Sequence, residues 1–128
     1  MTNRARRLKK ILTLQEQLKA MHELRHANFV AQAVAAKNEA AELVDRFNSD
    51  GQMPSLFPEV YHRHIGAAIS REGANRDLAT GEAAKVATAT ARANMVERSW
   101  REARAADERE RGDRERLDII GQRLKPAK

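Results

Sequence analysis

Between Tyr61 and Ala103 the chain can be stepped through by alternate fours and threes, landing on Tyr61, Ile65, Ala68, Glu72, Asn75, Ala79, Glu82, Val86, Ala89, Ala93, Val96, Trp100 and Ala103. Ten of these thirteen positions are apolar and two are charged, whereas the residues between them are mostly Arg, Glu, Asp, Thr and Asn. A heptad seam of about six repeats makes a helix pack lengthwise on another helix rather than close around a round core. The rest of the chain is expected to supply this seam with a partner.

The 128 residues contain three Phe, one Trp and one Tyr, and one-third of them are charged. Such a chain buries a long, thin interface more readily than a globular core. Cysteine is absent, which excludes disulfides and thiolate metal sites and suits a reducing compartment. No apolar run reaches the roughly 18 residues that span a bilayer, so a soluble, cytoplasmic protein without membrane insertion is expected. The net charge of +6 is concentrated at one end. From Met1 to Arg25, seven basic residues (Arg4, Arg6, Arg7, Lys9, Lys10, Lys19, Arg25) face only Glu16 and Glu23. A basic end of this kind meets nucleic acid, anionic lipid or an acidic protein surface.

A first helix is predicted over about residues 4–48, where Pro and Gly are absent. Ile11, Leu14, Leu18 and Met21 keep one heptad phase, and Phe29, Ala33, Ala36, Ala40, Leu43 and Phe47 keep another. A stutter between Met21 and Phe29, around His22 and His26, is the expected consequence. Residues 49–57 read as a turn: Asn48-Ser49-Asp50-Gly51 is turn chemistry, and Pro54 and Pro58 disfavour helix in the residue before each. Pro58 is acceptable as the first residue of a second helix, predicted over about 58–124, with the tail after Gly112 open as ordered or mobile.

The fold class expected is therefore all-α: two long helices forming an antiparallel coiled-coil hairpin, as a single domain over 1–128. With the turn centred near residue 53 and a rise of about 1.5 Å per residue, partners have numbers summing to about 106, so Leu8 is expected near Arg98 and Arg6 near Trp100. The first helix is about 68 Å long and the second about 80 Å by Gly112, so the second overshoots the first. Past Ala103 the seam turns polar at Asp107, Glu110 and Arg114, then apolar at Leu117, Ile120 and Leu124, a trio that reads as a partner surface. The mixed-charge run Arg109–Arg116 reads as a solvated face. Gly66, Gly73 and Gly81 each cost about 1 kcal/mol against Ala, and Glu72, Asn75 and Glu82 lower stability while fixing register.

Little in the chain points to catalysis or to a cofactor. His22 and His26 at i, i+4 share a helix face and have the spacing of metal ligands, with Glu82 roughly opposite; two ordinary seam-edge histidines is the simpler reading. His62 and His64 point to different faces. No phosphate loop, Ser/His/Asp set or paired carboxylates occur in a plausible cleft, so neither catalytic nor metal residues are assigned. The acid-free start has some character of a transit peptide, but its poverty in Ser and its continuous heptads argue against that. Aromatic residues do not interleave with basic ones, and no zipper follows a basic region, so nucleic acid is not the expected partner.

Two stretches resemble the FliJ family, small coiled-coil components of the flagellar type III export apparatus. They are Arg7-Leu8-Lys9-Lys10-Ile11-Leu12-Thr13-Leu14-Gln15-Glu16-Gln17 and Ser99-Trp100-Arg101-Glu102 with the charged tail Arg109–Asp118. The resemblance implies a non-catalytic stalk whose termini-bearing end enters the ring of a hexameric export ATPase, and which also contacts a membrane export-gate protein and export chaperones. The shaft end falls on Arg4–Leu14 and Val96–Leu124. By the resemblance, Arg4, Arg6, Arg7, Leu8, Ile11, Trp100, Leu117, Ile120 and Leu124 would contact the ring, and Leu43, Tyr61, Ile65 and Ala68 the gate. Arg46 and His64 stand where the family's gate surface carries aromatics. The implied location is cytoplasmic, peripheral to the membrane at the flagellar base. Two rival readings stay open: a basic coiled-coil protein that binds nucleic acid or ribosomes, and a generic coiled-coil scaffold.

Overall fold

A computed structural model describes residues 2–49 and 56–125. The chain is all-α, an antiparallel hairpin of two long helices, α1 (Asn3–Phe47, 45 residues) and α2 (Pro58–Leu124, 67 residues). Residues 50–55, which carry Asp50, Gly51 and Pro54 of the expected turn, lie outside the described residues.

Each helix end has a local cause. Thr2 caps α1: its Oγ1 accepts the Ala5 N–H at 3.2 Å, and its carbonyl accepts the Arg6 N–H at 3.1 Å. Such a cap contributes about 1 kcal/mol. At the other end of α1, the Ser49 N–H and hydroxyl both donate to the Arg46 carbonyl, at 3.2 and 2.6 Å. Pro58 is the first residue of α2, where no N–H is required of it.

Packing contacts divide the chain into two units, one of Met1–Leu18 with Ala89–Lys128 and one of Lys19–Thr88. In the first, Ala5, Leu12, Ala89, Ala93 and Ala103 are buried between the helices. Thr2 pairs there with Asp107 and Lys9 with Trp100. In the second, Ala33, Ala36, Ala40, Ala68 and Ala79 are buried, and Phe47 meets Tyr61 and His62, with ring centroids 6.1 and 4.9 Å apart. Rising numbers on α1 meet falling numbers on α2 within each unit, which is the antiparallel sense. In the first unit the pairs Thr2–Asp107 and Lys9–Trp100 both have numbers summing to 109, displaced from the expected sum of about 106, whereas in the second His22–Glu82 and Arg25–Glu82 sum to 104 and 107 and lie close to it. Lys9, rather than Arg6, reaches Trp100.

All thirteen expected seam positions of α2 are buried or half-buried. On α1 the outcome differs. Its buried and half-buried residues are Ala5, Leu8, Leu12, Gln15, Lys19, His22, His26, Phe29, Ala33, Ala36, Ala40, Leu43 and Phe47, and no other described α1 residue joins them. Their spacing is three and four throughout, so the expected stutter does not occur. The phase of Phe29 runs back through His26, His22, Lys19 and Gln15 to Leu12 and Leu8. Ile11, Leu14, Leu18 and Met21, expected in the seam, are on the outside instead.

Gly66, Gly73 and Gly81 are exposed, and a Cβ at any of them would meet nothing within 4 Å. Packing therefore does not require them. Replacing each with Ala is expected to add about 1 kcal/mol of stability. The triple substitution Gly66→Ala, Gly73→Ala, Gly81→Ala should raise the melting temperature followed by circular dichroism at 222 nm, and an unchanged or lower midpoint would show that these positions are constrained by contacts the fold does not display.

Candidate functional site

In the first unit, the start of α1 is tied down by α2. The Thr2 N–H donates to Asp107 Oδ2 at 2.8 Å, so a carboxylate sits against the positive end of the α1 dipole. Four residues from this clamp on α2, Ala103 is buried, and Trp100 packs one turn before that. The Lys9 ammonium stands 4.4 Å from the Trp100 ring centroid, and the Arg104 guanidinium lies 5.6 Å from it. Contacts of this kind contribute about 0.5–1 kcal/mol each at half-exposed sites. Trp100 Nε1 and Gln15 Oε1 are both enclosed without a hydrogen-bond partner, so this stretch of seam holds its polar atoms at a cost.

Beyond Asp107, α2 continues to Leu124 without an α1 residue beside it, and from Glu108 to Lys125 every residue but Gly112 is exposed. A lone helix needs other support in water. Arg104–Glu108, Glu110–Arg114 and Asp113–Arg116 pair along the helix at 3.4, 2.6 and 3.1 Å. Exposed pairs at this spacing add about 0.3 kcal/mol each, which favours helix over coil through the run. The run carries the helix out to Leu117, Ile120 and Leu124, which are 66, 51 and 76 % exposed.

The residues named for the ring contact thus fall in one unit. Arg4, Arg6, Arg7 and Ile11 are exposed, Leu8 and Trp100 are half-buried in the seam, and the α2 trio is exposed. Those named for the gate are placed otherwise. Leu43, Tyr61 and Ile65 are half-buried and Ala68 has no exposed surface, so all four pack helix on helix in the second unit. Exposed apolar residues near them include Val44, Leu56, Phe57, Val60 and Ile69, which sequence reasoning did not single out.

Only one of the three polar α2 seam residues reaches across to α1. Asn75 donates to the Arg71 carbonyl of its own helix, and Glu72 pairs with Arg76 at i, i+4. Glu82, 5 % exposed, lies 2.6 Å from His22 Nδ1, 3.8 Å from Arg25 and 3.4 Å from Lys85. His22 is thereby committed to Glu82 rather than to a pair with His26. Burial pushes the Glu82 carboxyl up, but the hydrogen bonds from His22 and Lys85 and the Lys85 charge outweigh it, leaving it below the ordinary 4.5. A depressed carboxyl stabilises the fold above its unfolded value, and that contribution is lost as pH falls through the lower folded value. Replacing Glu82 with Gln should therefore destabilise the protein near neutral pH and flatten the acid limb of its melting-temperature profile below pH 4.5. An acid limb identical to that of the parent chain would remove Glu82 from this role.

Among the described residues no helix is long and apolar enough to cross a membrane. Compared with protein-family models, with curated proteins and with solved structures, the chain matches none of them.

Proposed function

We propose that this chain is a non-catalytic stalk of the FliJ type, serving a hexameric export ATPase of a flagellar or related type III system from the cytoplasm, close to the membrane at the flagellar base. The observation that carries the reading is the α2 seam overrunning the start of α1. It leaves Leu117, Ile120 and Leu124 exposed in the same unit as the acid-free start of α1. Apolar side chains of this size on a bare helix favour a surrounding protein surface over water. The exposed Arg4, Arg6 and Arg7 add a charge that steers such an end toward an acidic opening. The intrahelical ion pairs keep the overhang helical before it docks.

A gate contact through Leu43, Tyr61, Ile65 and Ala68 requires the helices to part there, because the first three are half-buried in the seam and Ala68 is fully buried. Contacts with export chaperones follow from the family likeness alone. The acid-free start of α1 also favours a second reading, nucleic-acid or ribosome binding, with an affinity that would collapse as salt is raised.

The stalk reading predicts that the protein co-purifies with such an ATPase and stimulates its hydrolysis. Leu117→Asp with Leu124→Asp should abolish the stimulation while leaving thermal melting unchanged, since both residues are exposed. Failure of the parent chain to bind or stimulate any export ATPase, together with salt-sensitive retention of RNA or DNA, would replace the stalk with the second reading.

A further inference from the structure

The continuous α1 seam turns a second apolar line outward. Ile11, Leu14 and Leu18 are 42, 58 and 41 % exposed, all within the first unit. We propose that this line, with Arg4, Arg7 and Lys10 beside it, is a docking surface for an acidic amphipathic helix of another protein, laid lengthwise on α1.

Three observations select that occupant. The first is spacing: Arg4, Arg7, Ile11, Leu14 and Leu18 follow one another by threes and fours, the step that keeps a second helix in contact along its length. The second is width. The line is only two heptad positions across and bordered by Lys10 and Gln17, whereas a helix lying on a lipid surface presents an apolar face about 100° wide and anchors it with aromatic residues. No Phe, Trp or Tyr occurs before Phe29. The third is charge. No acidic residue precedes Glu16, and among the described residues Arg4, Arg7 and Lys10 make no ion pair. A second copy of this chain would bring the same cations against them, while a partner with Glu or Asp flanking its apolar stripe would complement them. Lys9, Lys10, Thr13, Leu14 and Gln17 also line a shallow groove beside the ridge.

The surface stands on exposure, spacing and charge, and does not rest on the stalk reading. Leu18 lies outside the stretch assigned to the shaft, so its substitution separates the two. The probe is a fluorescein-labelled synthetic peptide of about three heptads with Leu at a and d and Glu at e and g, alongside a version with Lys at e and g, each titrated with the full-length protein by fluorescence anisotropy. The acidic peptide should bind at least about tenfold more tightly than the basic one, and Leu18→Glu or Arg7→Glu should each weaken it about tenfold. Equal affinity for the two peptides, or no effect of either substitution, overturns the proposal. So does flotation with phosphatidylserine vesicles without peptide binding, which assigns the face to lipid, or self-association in sedimentation equilibrium that Leu18→Glu abolishes, which assigns it to a second copy. Should Leu18→Glu lower helicity, the exposed Arg7→Glu decides alone.

Discussion

The buried interior of this protein is a line of alanines. Among the described residues, nine of the ten buried apolar ones are Ala, the tenth is Leu12, and no large side chain is fully enclosed. An alanine methyl removes little apolar area from water, where a buried Leu or Phe contributes about 1.5–3 kcal/mol. Such a seam gains stability through length and through close approach of two backbones, so it has to stay in phase. A stutter on α1 would swing the alanines at 33, 36 and 40 away from α2 or carry the earlier residues out of contact. Tolerating Gln15, Lys19 and His22 as half-buried seam residues is the lesser cost.

Polar contacts then supply what the alanines lack in specificity. A seam of near-identical small residues slides easily by a heptad, because each layer resembles the next. In the second unit the Glu82–His22 contact distinguishes one register from its neighbours, and in the first the Thr2–Asp107 bond and the cations over Trp100 do the same. Asp107 is engaged at the very start of α1, and from Glu108 to Lys125 the residues of α2 are exposed, Gly112 apart. The overhang is thus a consequence of register as much as of helix length.

The α2 seam was legible because its apolar residues repeat over many heptads and its polar members are few. The same reading misjudged the first half of α1 for a physical reason. Ile11, Leu14, Leu18 and Met21 are large and apolar, and nothing local says that Gln15 and Lys19 are preferred inside. The deciding information is non-local: Glu82 on the other helix gives His22 a reason to face inward, and the alanine phase downstream propagates back through it. The displacement that gives Trp100 to Lys9 rather than Arg6 was not legible because composition places the centre of a hairpin only to within a residue or two. For the functional residues, exposure of Leu117, Ile120 and Leu124 followed from helix length, whereas the half-buried state of Leu43, Tyr61 and Ile65 followed from seam phase.

Two outward-facing apolar lines result from one inward-facing seam, the overhang of α2 and the early stripe of α1. The overhang follows from register and helix length, whereas the stripe exists only if the α1 seam is unbroken. The chain has no cysteine, so single cysteines introduced along α1 report the facing of each position through their rate of alkylation in the native state. Leu8→Cys, Leu12→Cys and Gln15→Cys should react slowly, and Ile11→Cys, Leu14→Cys and Leu18→Cys at the rate of an exposed thiol. The opposite pattern, with 11, 14 and 18 protected and 8, 12 and 15 open, would restore the stutter and contradict this account.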